Sequence, residues 1–155
     1  MKLLSLFTRR HTPFFSPEEQ SIIVSAVQEA ELRTSGEVRV YAESKCSYVN
    51  PLDRAAEIFH NLQMQATQQR NAVLVYVALK DRQLALYADE GIYQKAGKDF
   101  WNTAVKKMLS HFNKEDYAQG IAAVVKEIGE SLTDHFPYDG LTDKNELPDE
   151  IVFGK

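Results

Sequence analysis

Three short polar motifs hold the residues best suited to chemistry: Thr34-Ser35-Gly36-Glu37, Arg70-Asn71 and Asp89-Glu90-Gly91. Glu37, Asn71, Asp89 and Glu90 are hard oxygen donors, the type calcium takes about six to eight at a time. Gly36 and Gly91 permit close backbone approach. A divalent-cation site, calcium first, is one reading of this set. The plainer reading pairs Glu37 and Asp89 with Arg70 at a solvated rim. Glu43 and Asp81 form a second choice for a cation, in company with Ser44, Cys46 and Arg82.

Covalent chemistry finds less support. A phosphate-binding loop on Cys46 would need an arginine six residues on, where Leu52 stands. An aspartyl nucleophile at Asp81 would have an acidic partner two residues later, where Gln83 stands. Neither nucleophile is therefore activated in a known pattern. Two-metal hydrolysis asks for more carboxylates and usually for histidines. His11, His60, His111 and His135 are scattered and read as surface or helix-end residues. No glycine-rich phosphate loop occurs. Counting Asp139 as the first position of a calcium loop puts Asp143, Asn145 and Glu150 in register, but Leu141 and Lys144 break the pattern and Pro148 opposes a following helix. That segment reads instead as a tail packing Leu147, Ile151 and Phe153 onto the domain.

The elements that must position these residues follow from capping and periodicity. Ser16-Pro17-Glu18-Glu19 is a capping box with proline at the first helical position. Ile22, Ile23, Ala26, Val27 and Ala30 continue it as an amphipathic helix over residues 17 to about 33. Val38, Val40 and Ala42 alternate with Glu37, Arg39 and Tyr41 as a strand with one polar face. Asn50 caps a second helix, whose stripe of Ala55, Ala56, Phe59, Leu62 and Met64 carries it to about residue 67. The apolar run 72–79 is a central strand buried on both faces. After the turn Lys80-Asp81-Arg82, residues 83–88 form its hairpin partner. Helices then follow over 92–96, 98–112 and from Tyr117 to a stop at Pro137. The last of these buries Ile121, Val124, Val125, Ile128 and Leu132. Phe100, Trp101 and Met108 read as core.

A helix joins the first two strands, so they run parallel through a right-handed crossover. The third strand returns antiparallel. The expected fold is a small mixed sheet, a parallel pair plus an antiparallel hairpin strand, sandwiched between helices. Gly36-Glu37, Arg70-Asn71 and Asp89-Glu90-Gly91 then converge on one rim. Glu43, Ser44, Cys46, Asp81 and Arg82 gather on the opposite rim, the carboxyl edge where open α/β sheets usually bind ligands.

The composition suits one domain. The chain has 155 residues with 44% apolar and 26% charged side chains and a net charge of −4. So mild and mixed a charge does not predict nucleic-acid binding. One cysteine excludes an internal disulfide and fits a reducing compartment. The start, Leu3 to Phe7, is too short for a secretory core, and no bilayer-length apolar run occurs. A cytoplasmic monomer with an unidentified protein partner and no stable membrane insertion is expected. A minority reading gives Leu3, Leu4, Leu6 and Phe7, with Arg9 and Arg10, a brief membrane-surface or partner contact. The expected divisions are an N-terminal arm (1–15), the α/β domain (16–136) and an acidic tail (137–155).

Taken in order, Thr34-Ser35-Gly36-Glu37 leading into a strand, Arg70-Asn71 at the next, the Asp81-Arg82 turn and the Gly91-Ile92 turn resemble the TPM domain over roughly residues 16–136. That family includes a thylakoid-lumen protein of photosystem repair and a modulator of acetylcholine receptors. The resemblance implies a βαβ-type sandwich, calcium binding and, as an alternative, weak metal-dependent acid phosphatase activity. It carries onto Asn71, onto Asp81 and Arg82, and onto residues 89–92. One departure is Ala72, where the family often has glycine. The tail from Asn145 to Glu150 resembles that of a bacterial subgroup in which the domain stands alone.

Overall fold

The structure, a computed structural model, describes residues 14–138 and 150–154. The readings made for the arm before Phe14, His11 included, and for residues 139–149 lie outside the described residues. In chain order the elements are α1 (Pro17–Glu31), β1 (Glu37–Glu43), α2 (Pro51–Asn61), β2 (Ala72–Ala78), β3 (Gln83–Ala88), α3 (Glu90–Ala96), α4 (Lys98–Asn113), α5 (Tyr117–His135) and β4 (Val152–Phe153). The capping box opens α1: the Glu19 N–H donates to Ser16 Oγ at 3.1 Å and the Ser16 N–H to Glu19 Oε1 at 2.9 Å. Asn50 Oδ1 accepts from the Leu52 N–H and starts α2.

Helix α2 stops at Asn61, well short of residue 67. Gln63 takes the left-handed conformation, φ 58°. The Met64 N–H then bonds back to Phe59 O and the Gln63 N–H to His60 O, both at 3.0 Å. This is a Schellman ending with glutamine where glycine is usual. Met64 is fully buried, so it continues the apolar stripe from a turn rather than from the helix.

The sheet order is β3-β2-β1-β4. β1 and β2 run parallel from Glu37 opposite Ala72 to Glu43 opposite Ala78. β3 returns antiparallel to β2. The fourth strand was not foreseen: Val152 and Phe153 add in parallel to β1 opposite Tyr41 and Ala42. The sheet has a core on each face. Val38, Val40, Ala42, Val73, Val75, Val77, Leu84 and Leu86 meet residues of α1, α4 and α5 on one side. Leu74, Tyr76 and Ala85 meet Ala55, Ile58 and Phe59 of α2 on the other. Every residue of β2 is buried, which is why its sequence shows a continuous apolar run. The second face of the first strand is less exposed than its polar alternation suggests, because Glu37 and Glu43 at its two ends are both buried.

Candidate functional site

The rim is built from three backbone junctions. The Glu37 N–H at the start of β1 donates to Asn71 O at 3.3 Å, and the Asp89 N–H at the end of β3 donates to Ala72 O at 2.9 Å. The Gly91 N–H donates to Arg70 O at 2.8 Å. These bonds bring the three motifs side by side. Thr34 is buried and fastens the rim to the end of α5. Its hydroxyl donates to Phe136 O and accepts from the Gly36 N–H, while the Ser35 N–H also donates to Phe136 O. Asn71, 1% exposed, donates through Nδ2 to Ser35 Oγ at 3.4 Å, and its N–H donates to Thr67 Oγ1.

The glycines serve packing against the protein's own chain. A Cβ on Gly91 would stand 2.2 Å from Gln69 O and 2.5 Å from Arg70 O. One on Gly36 would meet Leu132 Cδ2 at 2.6 Å.

Arg70 is the electrostatic centre. Its backbone is left-handed, φ 53°. Its guanidinium grips Asp89 in two parallel bonds, Nε to Oδ2 at 2.6 Å and Nη2 to Oδ1 at 2.8 Å, and Nη1 reaches Glu90 Oε1 at 3.3 Å. Such fork pairing is the strong form of the interaction. The Asp89 side chain is 5% exposed, whereas those of Arg70 and Glu90 are 42% and 66% exposed. The hydrogen bonds to Asp89 raise the Arg70 pKa above its ordinary value. Asp89 also caps α3, accepting from the Glu90 N–H at 2.9 Å. Arg70 is thus the cation that two of the four expected ligands face. Glu37 is buried at the neighbouring strand start. Among the described residues no three His, Cys, Asp or Glu side chains gather within reach of one ion.

The opposite rim is a closed network. Arg54 of α2 donates to both oxygens of Glu43, each at 2.9 Å, and to Glu57. The Tyr76 hydroxyl donates to Glu43 Oε2 and the Tyr48 hydroxyl to Glu57 Oε2. The hydrogen bond to Glu43 is the main cause holding the Arg54 pKa above its ordinary value. Burial, then the Glu43 bond, pushes the Tyr76 phenol well above the usual tyrosine range. Asp81 accepts from the Cys46 N–H at 2.8 Å, and Sγ of Cys46 lies 3.6 Å from Tyr48 O. The sequence brought Glu43, Cys46 and Asp81 together on this rim but missed Arg54, Glu57, Tyr48 and Tyr76. Arg54 and Glu57 stand three apart near the start of α2, a spacing that places them on one helix face and was the available signal. His60 and His135 bond to helix carbonyls through Nδ1 (Ala56 O, Ser131 O), and His111 Nδ1 lies 3.3 Å from Asp116 Oδ2.

The comparisons with known proteins agree with this architecture. The NMR structure of BA42 protein from the psychrophilic bacterium Bizionia argentinensis is 37% identical, with a TM-score of 0.84, covering 92% of this chain and 97% of its own. The N-terminal domain of cg2496 protein from Corynebacterium glutamicum shares the fold at 17% identity and TM-score 0.62, over 78% of this chain and 76% of its own. No curated protein matches. The TPM domain model matches residues 9–131, across α1 to most of α5 and every residue of the rim, and the chain belongs to the TPM domain family.

Proposed function

We propose that this TPM domain is a non-enzymatic binding module whose rim answers weakly to divalent cations, calcium first, by exchange with Arg70. One observation carries the reading: the buried carboxylate of Asp89 and the exposed one of Glu90 share a single, half-exposed guanidinium. An internal cation on two carboxylates is a site that an external cation competes for. Asp89 supplies two oxygens and Glu90 up to two. Asn71 and Glu37 stand at the adjoining strand starts, and water completes the shell. So few protein donors place the affinity at about 10⁻⁴ to 10⁻³ M, the range of weak calcium modules. Glu43 and Asp81 rank second, because Glu43 is already held by Arg54 and Tyr76 and Asp81 by the Cys46 N–H.

Calcium titration followed by amide NMR tests this. Shifts are expected at residues 37, 71 and 89–91 at millimolar calcium. Arg70→Gln should tighten the response, since the competitor is gone, and Asp89→Asn should abolish it. Silence of these amides in both wild type and Arg70→Gln would reject the reading. Phosphoester assays on wild type and the Asp89→Asn variant address the alternative: phosphatase activity lost only in the variant would favour an enzyme at this rim.

A further inference from the structure

The chain treats the two sides of its sheet differently. β4 pairs with β1 on one side, whereas among the described residues no strand lies beyond β3 on the other. The Asp89 N–H donates inward to Ala72 O, and the register with β2 runs unbroken from Ala88 opposite Val73 to Gln83 opposite Ala78. Inward-bonding and outward-facing residues alternate along an antiparallel strand. Ala85 and Tyr87 therefore bond to β2, and Leu84, Leu86 and Ala88 turn their N–H and C=O groups away from it. Among the described residues nothing bonds to these outward groups, and none of the three residues has a further partner. Natural edge strands are guarded by charged side chains, proline or a bulge. Gln83-Leu84-Ala85-Leu86-Tyr87-Ala88 carries none of these. Leu84 and Leu86 send their side chains into the core, which fixes the backbone in extended form, so the ladder is preformed.

The helix above β3 selects the occupant. α2 packs on β3 itself: the Phe59 ring lies 4.8 Å from the Tyr87 ring and the His60 ring 6.1 Å from it, and Ala85 shares a core with Ala55 and Ile58. A second copy pairing β3 with β3 would set two such helices over strands about 4.8 Å apart. Packed helices need about 8–10 Å between axes. A single extended segment with no helix above it meets no such clash. Its side chains would run beside Ala85 and Tyr87 on the α2 face and beside Leu84, Leu86 and Ala88 on the other. Both rows are uncharged, so the fitting segment is uncharged and rich in strand-forming apolar residues.

We propose that the free edge of β3 is a strand-addition site for an extended, uncharged segment of a partner protein. The segment runs antiparallel to β3, the more stable pairing. The outward groups of Leu84, Leu86 and Ala88 supply the main-chain bonds that give affinity, and the two apolar rows supply specificity. This surface lies across β2 and β1 from β4 and is separate from both polar rims.

The test begins with amide hydrogen exchange on the full chain. Leu84, Leu86 and Ala88 should exchange fast while Ala85 and Tyr87 are protected; equal protection of both sets means a closed edge and overturns the proposal. The probe is a fluorescent peptide, Thr-Val-Thr-Val-Thr-Val, an uncharged strand former. It is expected to bind wild type and to slow exchange at Leu84, Leu86 and Ala88. Ala88→Pro removes one outward N–H without costing a bond to β2, as proline is tolerated where an edge N–H faces outward. It should keep the unfolding midpoint and weaken the probe by about tenfold, the size of one lost hydrogen bond. The same peptide methylated on every backbone nitrogen needs no variant and should not bind. No binding of the probe, or binding that neither Ala88→Pro nor methylation weakens, overturns the proposal. A wild-type dimer in sedimentation that Ala88→Pro dissolves also overturns it, since the occupant is then a second copy.

Discussion

A methyl group on Gly91 would stand 2.2 Å from one carbonyl oxygen and 2.5 Å from the next. Both belong to the backbone of residues 69 and 70, which cannot swing aside as a side chain would. Overpacking of this kind costs about 1–3 kcal/mol. Gly91→Ala is expected near the upper end, read as a lower urea midpoint with an unchanged slope. The residue scale is also where the sequence left a choice open. Asp89 and Glu90 stand 19 and 20 residues beyond Arg70 in the chain. Composition cannot say whether such carboxylates hold a metal or a guanidinium. In the structure the Arg70 guanidinium faces both carboxylates.

At the element scale, two helices end on non-glycine residues in the left-handed region, Gln63 at φ 58° and Glu115 at φ 58°. After α4 the Asp116 N–H bonds to His111 O and the Glu115 N–H to Phe112 O, the same ending as after α2. An L side chain there costs about 1–2 kcal/mol. Glycine removes that cost but loses more entropy on folding, about 0.5–1 kcal/mol. Gln63→Gly, at an exposed position without a side-chain role, should therefore stabilise by about 0.5–1 kcal/mol in chemical unfolding. These endings explain why the end of α2 was misread. Met64 keeps the apolar spacing of the helix, and glutamine at the stop gives no glycine signal. β4 was missed for another reason. Two residues carry no period, and their strand exists only because β1 lies beside them.

For the whole molecule, the network on the carboxyl rim sets a pH window. Tyr76 is raised by burial first, and Tyr48 by its hydrogen bond to Glu57. A group raised in the folded state contributes stability that is full below its unfolded pKa, about 10 for tyrosine, and is lost as pH climbs above it. Glu57 is lowered, first by the Tyr48 hydroxyl and then by Arg54. Its contribution is full above the ordinary carboxylate value and is lost as pH falls through the lowered one. Stability should therefore plateau between these limits. Absorbance at 295 nm should show Tyr76 ionising only on alkaline unfolding, and Tyr76→Phe should remove that late step. Early titration of all seven tyrosines in the folded state would contradict the network.

The sequence by itself determined the layers and the convergence. A continuous apolar run, a helix between two strands and a tight polar turn leave one economical topology, because crossovers are right-handed and hairpins return. That topology alone brings residues 36–37, 70–71 and 89–91 to one rim. Among the described residues no helix is long and apolar enough to cross a membrane. Only the tertiary structure decided what the rim residues touch. It placed Arg70 on Asp89 and Glu90, closed Glu43 with Arg54 and Tyr76, and seated Val152 and Phe153 on the edge of β1. Each of these pairings joins residues far apart in sequence through side-chain direction or backbone handedness, and neither is written in local periodicity.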